Sequence, residues 1–265
     1  MSEQLIVAGF HRSGTSLVCR LLDRAGLFLG YELVGANPSN PYGHFEDVEV
    51  LELHRQIMTD NGLSWQVEAP FLPVLTEEHW RRMRRVIERR DEEHGLWGFK
   101  DPRVCLFLMV WKHLLPHAKV LVVYRHFADT TFSLGRRHSS ELFRKKGPAH
   151  LHRRFWEEPD LGLRMWLAHN EALLAFARVY PEDVLAISFE MVRGGFPVVG
   201  AVNRRWELGL EEVAASEVFD PAVTEERRGR QPVSDEGLIG RVEATWRELE
   251  RLGERTMGGA AVVEG

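Results

Sequence analysis

Apolar and polar positions along the 265-residue chain fall into two alternating rhythms. Short continuous apolar runs, at Leu5–Phe10, Leu96–Phe99, Lys119–Tyr124 and Val184–Phe189, read as strands buried on both faces. Between them lie longer segments with helical periodicity: Thr15–Ala25, Asp47–Thr59, Glu77–Glu93, Val104–Leu115, a helix running from Arg125 to about His138, Asp160–Val179, Phe196–Trp206 and Asp235–Leu252. A stretch rich in Gly, Asn and Pro, Gly35–Gly43, separates the first helix from the second. Strands alternating with helices predict a three-layer α/β fold of P-loop-like type, with a central, mostly parallel sheet flanked by helices. Neither an internal repeat nor a linker divides the chain. The expectation is one domain over 1–265, with 258–265 as a frayed tail.

In open parallel sheets, ligands gather at the carboxyl ends of the strands. Here those ends carry Arg12 and Ser13, Lys100 and Asp101, Arg125, and Glu190. The first end is the most informative: Gly9-Phe10-His11-Arg12-Ser13-Gly14-Thr15-Ser16 links a strand to a helix with two glycines five residues apart. Glycines at that spacing let successive backbone N–H groups converge on one point, and the helix start adds its own unpaired donors. Ser13, Thr15 and Ser16 supply hydroxyls, and Arg12 supplies a permanent charge and a planar fork of donors. A nucleoside-triphosphate loop would carry Lys where Thr15 stands. The loop therefore predicts an anion site, but one unsuited to a triphosphate with magnesium.

Composition narrows the class. Hydrophobic content of 44% with 28% charged residues fits a globular protein with a real core. The net charge of -5 argues against a dedicated nucleic-acid binder. No apolar run is long enough to span a bilayer, and strand-like sequence starts too early for a secretory leader, so membrane insertion is not expected and the location is read as cytoplasmic. Cys19 and Cys105 sit among apolar residues and read as buried thiols of a reducing compartment. Arginine outnumbers lysine 29 to 5, which fits a GC-rich bacterial genome.

Three segments together resemble the sulfotransferases that use 3′-phosphoadenosine-5′-phosphosulfate (PAPS). Phe10–Leu17 is similar to that family's 5′-phosphosulfate loop. Tyr124-Arg125-His126-Phe127-Ala128-Asp129-Thr130-Thr131-Phe132-Ser133 is similar to its 3′-phosphate motif, with Arg at a strand end and Ser eight residues on. Trp97-Gly98-Phe99-Lys100-Asp101-Pro102-Arg103 resembles the bacterial and carbohydrate-type branch. The resemblance implies a donor site built from Arg12, Ser13, Gly14, Thr15, Ser16, Arg125 and Ser133. It implies Lys100 near the transferred group. More loosely, it implies a closing loop at Arg228 and Gly229. The implied reaction moves a sulfuryl group to a hydroxyl of a carbohydrate, lipid or secondary-metabolite acceptor, with PAPS as donor substrate and no metal. A small-molecule kinase with a degenerate loop and a non-catalytic nucleotide-binding module are the alternatives.

Catalysis of this kind needs positioning, fixed positive charge and a proton acceptor. Arg12 and Lys100 are the candidate charges. The cytosolic branch takes its base two residues after the lysine, where this chain has Pro102. Glu46 is the first candidate base, His44 the second and Asp101 the third. Each also has a structural reading: Glu46 as a first-turn carboxylate, Lys100 as the partner of a helix acid, Arg125 as a capping residue and Ser133 as a solvent-facing serine. Trp65, Phe71 and Trp80 are open between acceptor pocket and core. Phe189 is open between an adenine contact and core packing. The segment Arg136–Glu158 holds seven Arg or Lys against three acids and reads as a mobile, solvated loop-helix region, with a cover over an anionic acceptor as the alternative. The twelve histidines show no metal-binding spacing and are expected on the surface. Oligomeric state and acceptor identity have no signature.

Overall fold

The computed structural model describes residues 2–36, 43–218 and 235–258. Four strands form one sheet: β1 (Glu3–Ala8), β2 (Leu96–Lys100), β3 (Lys119–Tyr124) and β4 (Val184–Ser188). All are parallel, in the order β2-β1-β3-β4. Side chains alternate along each strand and divide the core in two. Ile6, Ala8, Val120, Val122, Val184 and Ala186 face one side, while Leu5, Val7, Leu121, Val123, Leu185 and Ile187 face the other. Burial on both faces explains why these strands are continuous apolar runs rather than half-polar ones.

On the Leu5 face pack α1 (Thr15–Arg24), the short α8 (Phe189–Arg193) and α9 (Val198–Trp206). The opposite face is covered by α2 (Val48–Asp60), α3 (Glu77–Glu93), α4 (Leu108–Leu114), α7 (Leu161–Val179) and α10 (Glu236–Gly258). Both outer edges of the sheet are closed. The Ala186 N–H of β4 donates to Thr256 Oγ1 of α10 at 3.0 Å, and the Gly98 N–H of β2 donates to the Phe28 carbonyl at 2.8 Å.

The structure corrects two expectations and details a third. The helix expected over Val104–Leu115 is two pieces, a 3-10 turn at Pro102–Leu106 and then α4. Phe107 leaves helical geometry between them (φ -119°, ψ 3°) and lays its ring flat on His54, centroids 4.5 Å apart. The segment Arg136–Glu158, expected as a solvated loop-helix region, takes in the end of α5 (Phe127–Phe143) and all of α6 (Ala149–Glu157), and buries only His138 and His152. Two of its arginines are in ion pairs: Arg137 with Glu141, and Arg154 with Glu68 and Glu158. Nor are the histidines superficial: His44, His54, His79, His138, His152 and His169 are all buried. Among the described residues, no helix is long and apolar enough to cross a membrane.

Candidate active site

Three adjacent strand ends build the site. From β1 the chain turns through Gly9–Ser13 into α1, with Gly14 at the helix N-cap in the left-handed region (φ 93°). Both glycines are sterically required. A Cβ on Gly9 would lie 2.3 Å from the Val123 carbonyl oxygen of β3, and one on Gly14 would lie 2.2 Å from the Phe189 ring. Ser13 and Thr15 are buried beneath the turn. Arg12 itself takes a left-handed backbone (φ 66°), a conformation costing a non-glycine residue about 1–2 kcal/mol. Strain of that kind gathers where a side chain must be aimed.

The aim of Arg12 is toward α5, where its Nε donates to Ser133 Oγ at 3.0 Å. Arg125, at the end of β3, donates to the Arg12 carbonyl at 3.4 Å and lies over the Phe189 ring, 4.5 Å from its centroid. Ser133 therefore faces the loop rather than solvent, and Phe189 is a spacer between Gly14 and Arg125. Four residues beyond Ser133, one turn along the same face of α5, Arg137 joins the group. Arg12, Arg125, Arg137 and Lys100 all line one cavity of about 130 Å³, together with Gly14, Thr15, Ser16, His44, Glu46 and Phe189. Burial, and then the nearby charges of Arg137, Arg125 and Arg136, push the Arg12 guanidinium down to about 10. It stays charged at neutral pH, in a field that an incoming anion would relieve.

Lys100 comes from the end of β2 and is 2% exposed. Its Nζ donates to the His44 carbonyl at 2.9 Å, to Glu46 Oε1 at 3.1 Å and to Ser16 Oγ at 3.4 Å. Glu46 is thus held against the candidate cation rather than spent on the N-terminus of α2. That end is capped by Asp47, whose Oδ1 accepts from the Glu49 and Val50 N–H groups and whose other oxygen pairs with buried Arg90. The segment carrying His44 and Glu46 is braced against the chain at 32–34. Val34 and Val48 donate to the Glu46 and Glu32 carbonyls, and His44 donates to Val34. Phe45, between the two candidate bases, has φ 51°.

The three candidate bases separate. Asp101 is fully buried, its Oδ2 2.7 Å from His54 Nδ1 and its Oδ1 accepting from the Arg103 side chain at 2.6 Å. His54 Nε2 accepts from the Trp111 indole at 2.8 Å, which leaves the ring proton on Nδ1, donated to Asp101. Burial alone would raise the Asp101 carboxyl, but the charge of Arg103 and the His54 hydrogen bond hold it well below the usual carboxylate range. Both of its oxygens are committed to structure. His44 is buried, and burial pushes its ring down to about 4, so it is uncharged at neutral pH. Its Nδ1 lies 3.8 Å from Glu46 Oε1. Glu46 alone combines a partly exposed carboxylate, a cationic neighbour and a place on the cavity wall.

A second cavity of about 250 Å³ adjoins the first, sharing His11, His44, Glu46 and Arg137. Trp65, Arg103, Leu134, His138, Glu141 and His152 complete much of its wall. Phe71 and Trp80 instead pack against the core. Two residues of this region escaped the sequence reading. His11 lies in the loop motif itself, and its Nε2 is buried with no hydrogen-bond partner among the described residues; burial lowers its ring well below the ordinary value. Arg137 was signalled only by its helical spacing from Ser133. Arg228 and Gly229 lie outside the described residues.

Comparison with known proteins gives the frame for these parts. The model of the sulfotransferase family matches residues 4–194. No curated protein sequence matches. Solved structures similar to this chain include a sulfotransferase from Alicyclobacillus acidocaldarius, 17% identical, TM-score 0.48, covering 98% of this chain and 99% of that one. The sulfotransferase domain of the Synechococcus PCC 7002 olefin synthase is 16% identical, TM-score 0.42, covering 96% and 94%. A sulfotransferase from Mycobacterium tuberculosis is 14% identical, TM-score 0.43, covering 97% and 77%. With its family model spanning the loop, all four strands and the cation-lined cavity, the chain belongs to the sulfotransferase family.

Proposed function

We propose that the protein transfers a sulfuryl group from PAPS to a hydroxyl of a carbohydrate, lipid or secondary-metabolite acceptor by in-line displacement. One observation carries the reading: four cationic side chains converge on a cavity floored by a glycine loop in which Thr15 replaces the triphosphate lysine. That donor set fits a ligand with separate phosphate groups and no γ-phosphate. The N–H groups of the loop and Arg12 would hold the phosphosulfate end, and Arg125 with Ser133 the 3′-phosphate. Phe189 offers a flat apolar face between them.

In the step itself the acceptor oxygen attacks sulfur and the bond from sulfur to the bridging oxygen breaks. Charge growing on that leaving oxygen is met by Lys100 and Arg12, held in place before the reaction begins. The hydroxyl proton passes to the Glu46 carboxylate. Lys100 links the two events, because the same ammonium that neutralises the leaving oxygen orients the base. The adjoining cavity, with Trp65 and His11 on its wall, is the acceptor side.

A thermal-shift titration tests the donor. Stabilisation by 3′,5′-adenosine diphosphate in the presence of chelator is expected; a response to ATP with magnesium alone would replace this reading with that of a kinase. Glu46→Gln tests the base. It should lower kcat by about 10²–10⁴-fold with donor affinity preserved. An unchanged kcat would move the role to His44 or His11.

A further inference from the structure

Beside the donor cavity, three side chains able to ligate a metal meet at one point. His138 and Glu141 are three residues apart on α5, and His152 comes from α6. The Nδ1 atoms of the two histidines are 2.8 Å apart, and Glu141 Oε2 lies 3.4 Å from the first and 3.7 Å from the second. A point equidistant from the three atoms lies about 2 Å from each, the length of a zinc–imidazole or zinc–carboxylate bond. We infer that His138, Glu141 and His152 form a binding site for a divalent transition ion, zinc by its donor set.

The surroundings are those of a held site. Both rings are buried, and His138 is clamped between Phe155 (centroids 4.6 Å, 5° between planes) and Trp65 (5.0 Å, 28°). The other oxygen of Glu141 accepts from Arg137 Nε at 2.9 Å, an outer contact of the kind that orients a ligating carboxylate. Burial pushes the His138 ring down to about 3, so it offers a neutral nitrogen. Two imidazoles and one carboxylate suit zinc, whereas calcium takes six to eight oxygens. All three ligands line the second cavity, so the ion would join α6 to α5 at its wall. Its remaining coordination would be open to water or an acceptor oxygen. The site stands whether or not PAPS is the donor.

The test uses the tag-free chain, stripped with chelator and titrated with zinc chloride by calorimetry, with X-ray absorption at the zinc edge. One equivalent should bind with sub-micromolar affinity, in a shell of nitrogen and oxygen at about 2.0–2.1 Å without sulfur. Zinc should also raise the melting temperature and change the emission of Trp65, which stacks on His138. Glu141→Gln and His152→Gln should each weaken binding at least tenfold. Glu141 is partly exposed on a helix, so its variant keeps the question open to decision should the histidine variant fail to fold. Absence of saturable binding at one equivalent, or unchanged affinity in Glu141→Gln, would overturn the inference.

Discussion

Arg125 shows how much one side chain is asked to do. It ends β3, touches the carbonyl of Arg12 and covers Phe189, so it ties the loop after β1 to the start of α8. In the proposed function its guanidinium would partner the 3′-phosphate, through charge-assisted hydrogen bonds of about 1.5–3 kcal/mol. Arg125→Ala should therefore weaken 3′,5′-adenosine diphosphate by roughly 10–100-fold while leaving 5′-adenosine monophosphate nearly unaffected, measured by calorimetry. Equal losses for the two nucleotides would remove the assigned role. Lys100 teaches the complementary lesson. Its sequence context named it as a candidate cation, but its partner Glu46 lies 54 positions away and is reached only through the fold.

At the scale of elements, the loop after β1 works because β3 runs beside it. The contact between Gly9 and the Val123 carbonyl leaves no room for a methyl group, so Gly9→Ala must push the loop off the sheet. The expected outcome is a loss of nucleotide-induced stabilisation larger than the fall in the melting temperature of the free protein; thermal shifts with and without ligand separate the two. The four strands and most helices were legible, because a sheet covered on both faces writes itself as apolar runs and amphipathic helices as periodic ones. The end of α5 and all of α6 were not. Their inward side chains include His138 and His152 among arginines, and the burial that stacks those rings on Trp65 and Phe155 is a tertiary fact. The bracing of 44–48 by 32–34 was equally silent: the pairing is too short to carry strand periodicity. The loop motif, by contrast, was legible in detail, since glycine positions and charge are written in sequence.

For the whole molecule, the buried histidines set a dependence on acid. Burial holds His169 and His44 at about 4 each, below the ordinary value near 6.5. The unfolded chain therefore binds more protons than the folded one between those values. Stability is fully present above about pH 6.5 and falls as pH drops toward 4. Asp101 adds to this only lower down: its folded carboxyl is depressed, so its contribution is intact above about pH 4 and is lost below. Urea unfolding should show a midpoint that declines steadily from pH 7 to 4.5, and His169→Gln should flatten that decline. A midpoint independent of pH across this window would mean that the rings take up protons in the folded state as readily as in the unfolded chain.

The two closed edges of the sheet bear on how copies of the protein meet. A four-stranded parallel sheet has an open row of peptide groups on each outer strand, to which another chain can add. Here a single threonine hydroxyl near the end of the described chain, Thr256, satisfies the Ala186 peptide of β4, while the Phe28 carbonyl does the same for Gly98 on β2. Thr256→Val would keep the side-chain shape and withdraw the acceptor, exposing a template for strand addition once α10 lifts. A melting temperature lower by several degrees, with slow, concentration-dependent self-association followed by light scattering under mild warming, is the expected result. In that sense α10 acts as a guard of colloidal behaviour, keeping a catalytic fold from becoming a seed.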